Sequence, residues 1–228
     1  LYGMPNFADL FTSRQLVTLT TLCDLVWETH EKIQHEARQS GCWNEVPSST
    51  DGVTGVATYA DAVATYLGLC AAKSSVFLTN LARWRPGEGK SAPAFGRQAI
   101  PMVWDFVEIN PFAGAGGDFA GIIDGAVKTL RGIPADARGI SLQLDAAAAS
   151  APVEAPLVST DPPYYDNIGY ADLSDYFYVW LRRSLGRIYR THCSTVLTPK
   201  AQELIATPYR HDGSKDAAKR FFEEGLGK

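Results

Sequence analysis

Two consecutive prolines set directly after a short apolar run constrain this chain more than any other feature. In Pro156-Leu-Val-Ser-Thr160, followed by Asp161-Pro162-Pro163-Tyr164, the apolar run reads as a strand. The prolines end it, because each fixes φ and neither can donate to a ladder. What remains at the strand's C-terminal edge is a stiff loop carrying an acid, two carbonyls free of competing N–H donors, and an aromatic ring. Asp-Pro-Pro is also an ordinary strand-terminating turn. A plain turn, however, has no need of the three tyrosines that follow within seven residues, Tyr164, Tyr165 and Tyr170.

That set of groups suits chemistry at an exocyclic amine. The amine of adenine is a poor nucleophile because its lone pair is shared with the ring. The Asp161 carboxylate and the Pro162 carbonyl can each accept one N–H, returning electron density to nitrogen, while Pro163 stiffens the loop before substrate arrives. Tyr164 offers a flat platform for a base swung out of a duplex. Tyr165 and Tyr170 are candidates to line the base pocket, and Asn167 to orient the loop or touch substrate.

At 228 residues the chain is long enough for one good core with a satellite helical region. No apolar run is long enough to span a bilayer, and no signal-type N-terminus is present. Cys23, Cys42, Cys70 and Cys193 lie far apart with no paired spacing. They read as reduced, cytoplasmic thiols, Cys23 and Cys70 being core positions, and no metal site is expected. The net charge of −4 does not advertise a nucleic-acid binder. Yet no acid occurs between Tyr176 and Gln202, where Arg182, Arg183, Arg187, Arg190 and Lys200 stand. Arg182, Arg183 and Arg187 are candidate phosphate contacts. A solvated helix face with arginines at its C-terminal end explains them equally well.

Along the chain, Leu16, Leu19, Cys23, Val26, Trp27 and His30 recur at helical spacing behind Thr12 or Ser13 as N-cap. A second helix carries Tyr59, Val63, Tyr66, Leu67 and Cys70 on one face, and the two are expected to pair as an antiparallel hairpin. Residues 85–97 read as a mobile loop. Strands are expected at 102–109, 140–144 and 194–197, besides the one before Asp161. A helix is expected from Phe119 to Arg131. Another, capped by Asp172, has Leu173, Tyr176, Phe177, Trp180 and Leu181 as its buried stripe. The tail from 199 to 225 reads as two short helices.

Between the strand at 102–109 and the helix at Phe119 lies Asn110-Pro-Phe-Ala-Gly-Ala-Gly-Gly-Asp118. Strand, glycine-rich turn and helix form the arrangement that a nucleoside cofactor uses, and the loop resembles the cofactor loop of amino-methyltransferases, which implies S-adenosylmethionine at Phe112, Gly114 and Gly116. The alternative is a tight loop that only covers the sheet. One strand, not two, separates this loop from Asp161, which is short for a complete cofactor-binding sheet. Asp145, at the end of the 140–144 strand, could contact the cofactor's adenine or could cap the alanines after it.

The stretches Phe7-Ala-Asp-Leu-Phe-Thr-Ser-Arg-Gln-Leu16, Tyr59-Ala-Asp-Ala-Val63, residues 95–105, the fifteen residues from Asp161 to Asp175, and Thr198-Pro-Lys-Ala-Gln-Glu-Leu204 through Thr207-Pro-Tyr-Arg-His211 resemble the large putative adenine-specific DNA methylases. Members of that family are several times longer, and their clear cofactor loop lies upstream of the region matched. The resemblance therefore implies an interior or C-terminal portion of a longer parent polypeptide, with the chain's start at Leu1 pointing the same way. It implies an α/β fold, a partial Rossmann-like methyltransferase sheet in residues 95–228 preceded by a helical region in 1–94. It also implies methyl transfer from S-adenosylmethionine to the N6 amine of a flipped-out adenine in DNA. An aspartate at the motif's first position favours adenine over cytosine. Two other readings compete: a non-catalytic nucleic-acid-binding module in which the loop only stacks a base, and a dinucleotide-binding oxidoreductase fragment. The second of these lacks the acid it needs about twenty positions beyond the glycines.

Overall fold

The computed structural model describes residues 3–41, 55–134, 139–145 and 157–227. The first helix, α1 (Ser13–Ser40), starts where Thr12 accepts the Gln15 N–H while the Gln15 side chain accepts the Thr12 N–H. This reciprocal cap satisfies two of the donors that a helix start leaves unpaired. Gly41, at φ +61°, ends it in the left-handed conformation that suits glycine. Leu19, Leu22, Cys23 and Val26 are buried along one face.

The second helix, α2 (Val56–Ser74), buries a different face from the one its aromatics suggest. Ala60, Ala64, Gly68, Cys70, Ala71, Ala72 and Ser74 are the buried positions, so of the expected face Cys70 is buried while Tyr59 and Tyr66 stay exposed. Small residues let two helices approach closely, and the longer tyrosines are left outside that seam. Leu19 and Leu22 cluster with Ala71 and Ala72, Val26 with Ala64, and His30 Nε2 meets Asp61 Oδ1 at 2.8 Å. Because the order of contacts reverses, α1 and α2 run antiparallel, as the sequence predicts. His30 serves this helix seam.

The remaining elements are β1 (Arg83–Arg85) and β2 (Lys90–Ala92), α3 (Phe119–Gly132), α4 (Tyr170–Leu185) and α5 (Lys215–Leu226), with short 3-10 turns at Phe7–Leu10 and Pro208–Arg210. β1 and β2 form an antiparallel hairpin, Trp84 opposite Ser91, whose turn and second strand fall in the stretch expected to be a mobile loop. α4 begins at Tyr170, so Asp172 lies within its first turn and is not its cap. The tail holds one α-helix and one 3-10 turn in place of two short helices, with Ser214 capping α5 through the Ala217 N–H.

The expected fold class does not hold. The described residues are mainly helical, and their only sheet is the two-stranded antiparallel hairpin; no parallel, Rossmann-like sheet is present. The segments predicted as strands are irregular. In 102–109 a backbone bond ties Val107 N–H to the Ala82 carbonyl at 3.0 Å, and Trp104 is 94% exposed. Residues 140–144 and 157–160 carry exposed Ile140, Leu142, Leu144, Leu157 and Val158. Residues 194–197 form a bend, with the Tyr178 hydroxyl donating to the Thr195 carbonyl at 2.8 Å. The physical reason is that a strand exists only against a partner. A short apolar run fixes neither that partner nor its own conformation.

The chain groups into two compact units, Leu1–Ile133 with Leu173–Thr198, and Pro134–Asp172 with Pro199–Lys228. They interleave along the sequence, whereas the sequence reading divides it at residue 94. The first unit holds the principal core. Phe7, Phe11, Phe95, Tyr176, Phe177 and Trp180 form an aromatic cluster there, Phe95 meeting Tyr176 edge-on at 4.9 Å and Phe11 meeting Trp180 at 5.3 Å. Such pairs add about 0.5–1.5 kcal/mol each beyond the area they bury. The Tyr176 hydroxyl donates to the Ser75 carbonyl at 2.7 Å, so its burial leaves no donor stranded. Burial pushes its phenol up to about 12. Cys23 and Cys70 are buried as expected; Cys42 lies outside the described residues. Among the described residues no helix is long and apolar enough to cross a membrane.

Candidate functional site: the Asp161–Tyr170 loop and its supports

The loop from Asp161 belongs to the second unit. Asp161, Pro162, Pro163, Tyr164 and Tyr165 are all solvent-facing, with Tyr164 53% exposed. The Tyr164 hydroxyl donates to Asp161 Oδ1, which brings the phenol beside the carboxylate. That hydrogen bond to a carboxylate raises the Tyr164 pKa. Acid and flat ring therefore sit side by side, both open to an incoming ligand.

Tyr164 and Asn167 close a tight turn, the Asn167 N–H donating to the Tyr164 carbonyl at 3.0 Å. Tyr165 occupies that turn at φ +53°, a conformation that costs a residue with a β-carbon about 1 kcal/mol or more. Something must hold it there. The Ala206 N–H donates to the Tyr165 carbonyl at 3.0 Å, and the Tyr165 ring meets Phe222 of α5 edge-on at 5.2 Å. Tyr170, half exposed, opens α4. Asn167 shapes the loop through its backbone, and its side chain faces solvent.

Beyond the loop, the first turn of α4 meets a cluster that the sequence reading did not single out. Arg210 Nη2 donates to Asp172 Oδ2 at 2.7 Å, and Nη1 lies 2.7 Å from Glu203 Oε2 and donates to the Lys200 carbonyl at 3.1 Å. Its Nε donates to the Tyr209 hydroxyl at 3.2 Å, and that hydroxyl in turn donates to Asp172. Glu203 Oε1 accepts the Ala171 N–H at 2.9 Å, one of the donors a helix start leaves over. The Arg210 side chain is only 13% exposed. Burial opposes the Arg210 charge, but its hydrogen bonds with Asp172, Tyr209 and Glu203 outweigh that and hold its pKa above the ordinary arginine value. Burial likewise works to raise Asp172, and the bonds from Tyr209 and Arg210 together bring it below the ordinary aspartate value. The signal available in sequence was Thr207-Pro-Tyr-Arg-His211, an arginine and a tyrosine beside a helix-starting proline.

The other sequence-predicted residues lie elsewhere. Arg182, Arg183 and Arg187 belong to the first unit. Arg183 makes a two-point pair with Asp24 at 2.8 and 3.1 Å, Arg187 stacks 4.7 Å from the Trp27 ring centroid, and Arg182 Nε donates to the Cys193 carbonyl at 3.4 Å. All three are exposed, and each already has a contact within the chain. Arg182 and Arg183 rim a surface cavity of about 630 Å³ that Phe7, Leu16, Trp180 and Cys193 also line.

A nucleoside held at Phe112, Gly114 and Gly116 needs a strand, a turn and a helix N-terminus converging on it. The helix is present: α3 starts behind Asp118, which accepts the Gly121 N–H at 3.0 Å. The strand is not, and Phe112 is 73% exposed. Asn110 Oδ1 accepts the Phe112 N–H at 3.0 Å, so the asparagine is used in a local turn. Neither that cavity nor a second of about 330 Å³, near Glu108 and Pro111, is lined by any of the three. The loop does not fit S-adenosylmethionine. Asp145 belongs to the other unit, and the alanines it was expected to cap lie outside the described residues.

Comparison with protein-family models, with curated proteins and with solved structures finds no match in any of the three.

Proposed function

We propose that this chain carries the substrate loop of an adenine-specific DNA methyltransferase, with the N6 amine of an extruded adenine as acceptor and S-adenosylmethionine as methyl donor. One observation carries the reading: an exposed carboxylate and an exposed aromatic ring, joined by a hydrogen bond, on a loop that two prolines and a left-handed tyrosine stiffen. Asp161 and the Pro162 carbonyl accept the two amine hydrogens, and Tyr164 turns its face to the base. As the amine gains its methyl, the proton it sheds passes to Asp161 Oδ1 or Oδ2. Preorganised acceptors of this kind are worth more in the transition state than in the ground state, because positive charge builds on the nitrogen they face.

The methyl donor and the walls of the base pocket are assigned to the remainder of a longer polypeptide, working in the cytoplasm. The bare surface beside the motif supports this assignment: Leu157 is 99% and Val158 73% exposed, and adjacent bare apolar side chains favour a partner surface.

Asp161→Ala tests the reading, made in the full-length polypeptide and assayed for methyl transfer to adenine-containing DNA. A fall in kcat of about a hundredfold or more, with DNA affinity little changed, is expected. Retained activity sinks the catalytic role. If Tyr164→Ala then still abolishes binding of DNA with an unpaired adenine, the loop is a base-stacking module.

A further inference from the structure

We infer that Arg210 is a positioning residue for the Asp161–Tyr170 loop, and that residues 199–227 act as a clamp built to hold that loop in its receiving geometry. The inference rests on the methyltransferase reading above and adds to it the part of the chain that sets the loop's shape.

The tail grips the loop region at two places. At the first, the Ala206 amide and the Phe222 ring hold Tyr165 in its left-handed turn. At the second, Arg210 and Glu203 hold Asp172 and the Ala171 amide, fixing where α4 begins. The backbone between the two grips is residues 166–170, and within it the Asn167 N–H closes the turn onto the Tyr164 carbonyl. Tyr164 precedes the first grip and is tied to the held segment by its carbonyl's bond from the Asn167 N–H, and Asp161 is tied in turn by the Tyr164 hydroxyl.

Arg210 is the pivot because a single planar guanidinium meets Asp172, Glu203, Tyr209 and the Lys200 carbonyl at once. A lysine ammonium cannot span that set, since its three donors radiate from one atom. The placement is also costly unless it is used. A guanidinium and the Glu203 carboxylate in a mostly covered site, with Asp172 at its open edge, give a weak return in stability against apolar packing, but they fix direction.

Arg210→Met and Glu203→Gln, in the full-length polypeptide, test the clamp by amide exchange and by kinetics. In Arg210→Met, exchange at the Ala171, Asn167 and Ala206 amides is expected to accelerate about tenfold or more, while α1 and α2 amides keep their protection. The kcat is expected to fall about thirtyfold or more with the KM for the methyl donor unchanged, and millimolar guanidinium ion to restore part of it. Glu203→Gln keeps an acceptor for the Ala171 amide and loses one charge on Arg210, so a smaller change in the same direction is expected. It supplies the reading should Arg210→Met not fold. Unchanged exchange at those three amides overturns the inference. So does a normal kcat in Arg210→Met under conditions where Asp161→Ala is inactive. If Asp161→Ala is fully active, it is the methyltransferase reading that fails, and the exchange data still decide whether the tail holds the loop.

Discussion

Gly114 and Gly117 stand three residues apart in one loop, both at positive φ, yet a side chain would meet different surroundings at each. At Gly117 (φ +93°) an added Cβ would lie 2.8 Å from Phe77 Cδ1 and 3.0 Å from Ile109 Cδ1; at Gly114 (φ +68°) it would meet open space. Gly114→Ala is therefore expected to cost about 1 kcal/mol from the left-handed backbone alone. Gly117→Ala adds overpacking and is expected to cost about 2 kcal/mol or more. Urea unfolding of the two variants compares them, and equal losses would remove the packing argument. Cys23 gives a second test at this scale. Burial lifts its thiol to about 11, so at pH 8 the native chain should leave Cys23 unmodified by a maleimide that labels it fully in denaturant. These positions show why the glycine-rich stretch misled as a sequence. Its glycines answer to a turn and to Phe77, and the spacing of small residues cannot distinguish that from room made for a ligand.

Among the elements, α1 was legible because its signals are local: the Thr12–Gln15 cap and the Leu19–Cys23–Val26 stripe lie within a few turns of each other. The buried face of α2 was not, because Ala60, Ala64 and Gly68 become core only when another helix comes close enough to exclude tyrosine. Strand assignments failed for a related reason, since a run such as Ile140–Leu144 is a strand only if a neighbour pairs with it. The Asp161–Tyr164 motif was legible as a rigid loop, being defined by its own prolines. Its support by Arg210 was not, because that contact joins residues 38 apart in the chain. Thr12 offers the test proper to this scale. Its hydroxyl accepts the Gln15 amide and donates to Glu108 Oε1 at 2.7 Å. Thr12→Ala is expected to cost about 1–2 kcal/mol, read by thermal or urea unfolding; an unchanged midpoint would mean that Gln15 alone suffices to start α1.

For the molecule as a whole, acid is the informative variable. Asp172 and Glu108 both titrate below their ordinary values in the folded chain: Asp172 because Tyr209 and Arg210 outweigh its burial, Glu108 chiefly because Arg14 and Thr12 donate to it. A group whose pKa is lowered by folding contributes its stability above the unfolded value, about 4 for a carboxylate. That contribution disappears as pH falls through the folded value. The Glu108 pair with Arg14 is open to water and contributes little. Most of the acid sensitivity should therefore sit in the second unit. Unfolding followed from pH 7 to pH 2 should show protection at the Ala206 and Asn167 amides lost before that of α1, and Asp172→Asn should flatten the dependence. Loss of all protection at one pH would contradict this division.

On the proposed function, the bond between Tyr164 and Asp161 would make recognition of a base an exchange of partners. In the resting chain Asp161 Oδ1 already accepts a hydroxyl, so an arriving base that offers an N–H to that oxygen would compete with it and free the phenol ring to lie flat. A base that presents an oxygen at that position, such as hypoxanthine, would set lone pair against lone pair, and a receptor made to accept hydrogens rejects such an analogue far more sharply than it rejects a change of size. DNA in which inosine replaces the target adenosine should accordingly be a poor competitor, even with its base unpaired and free to swing out.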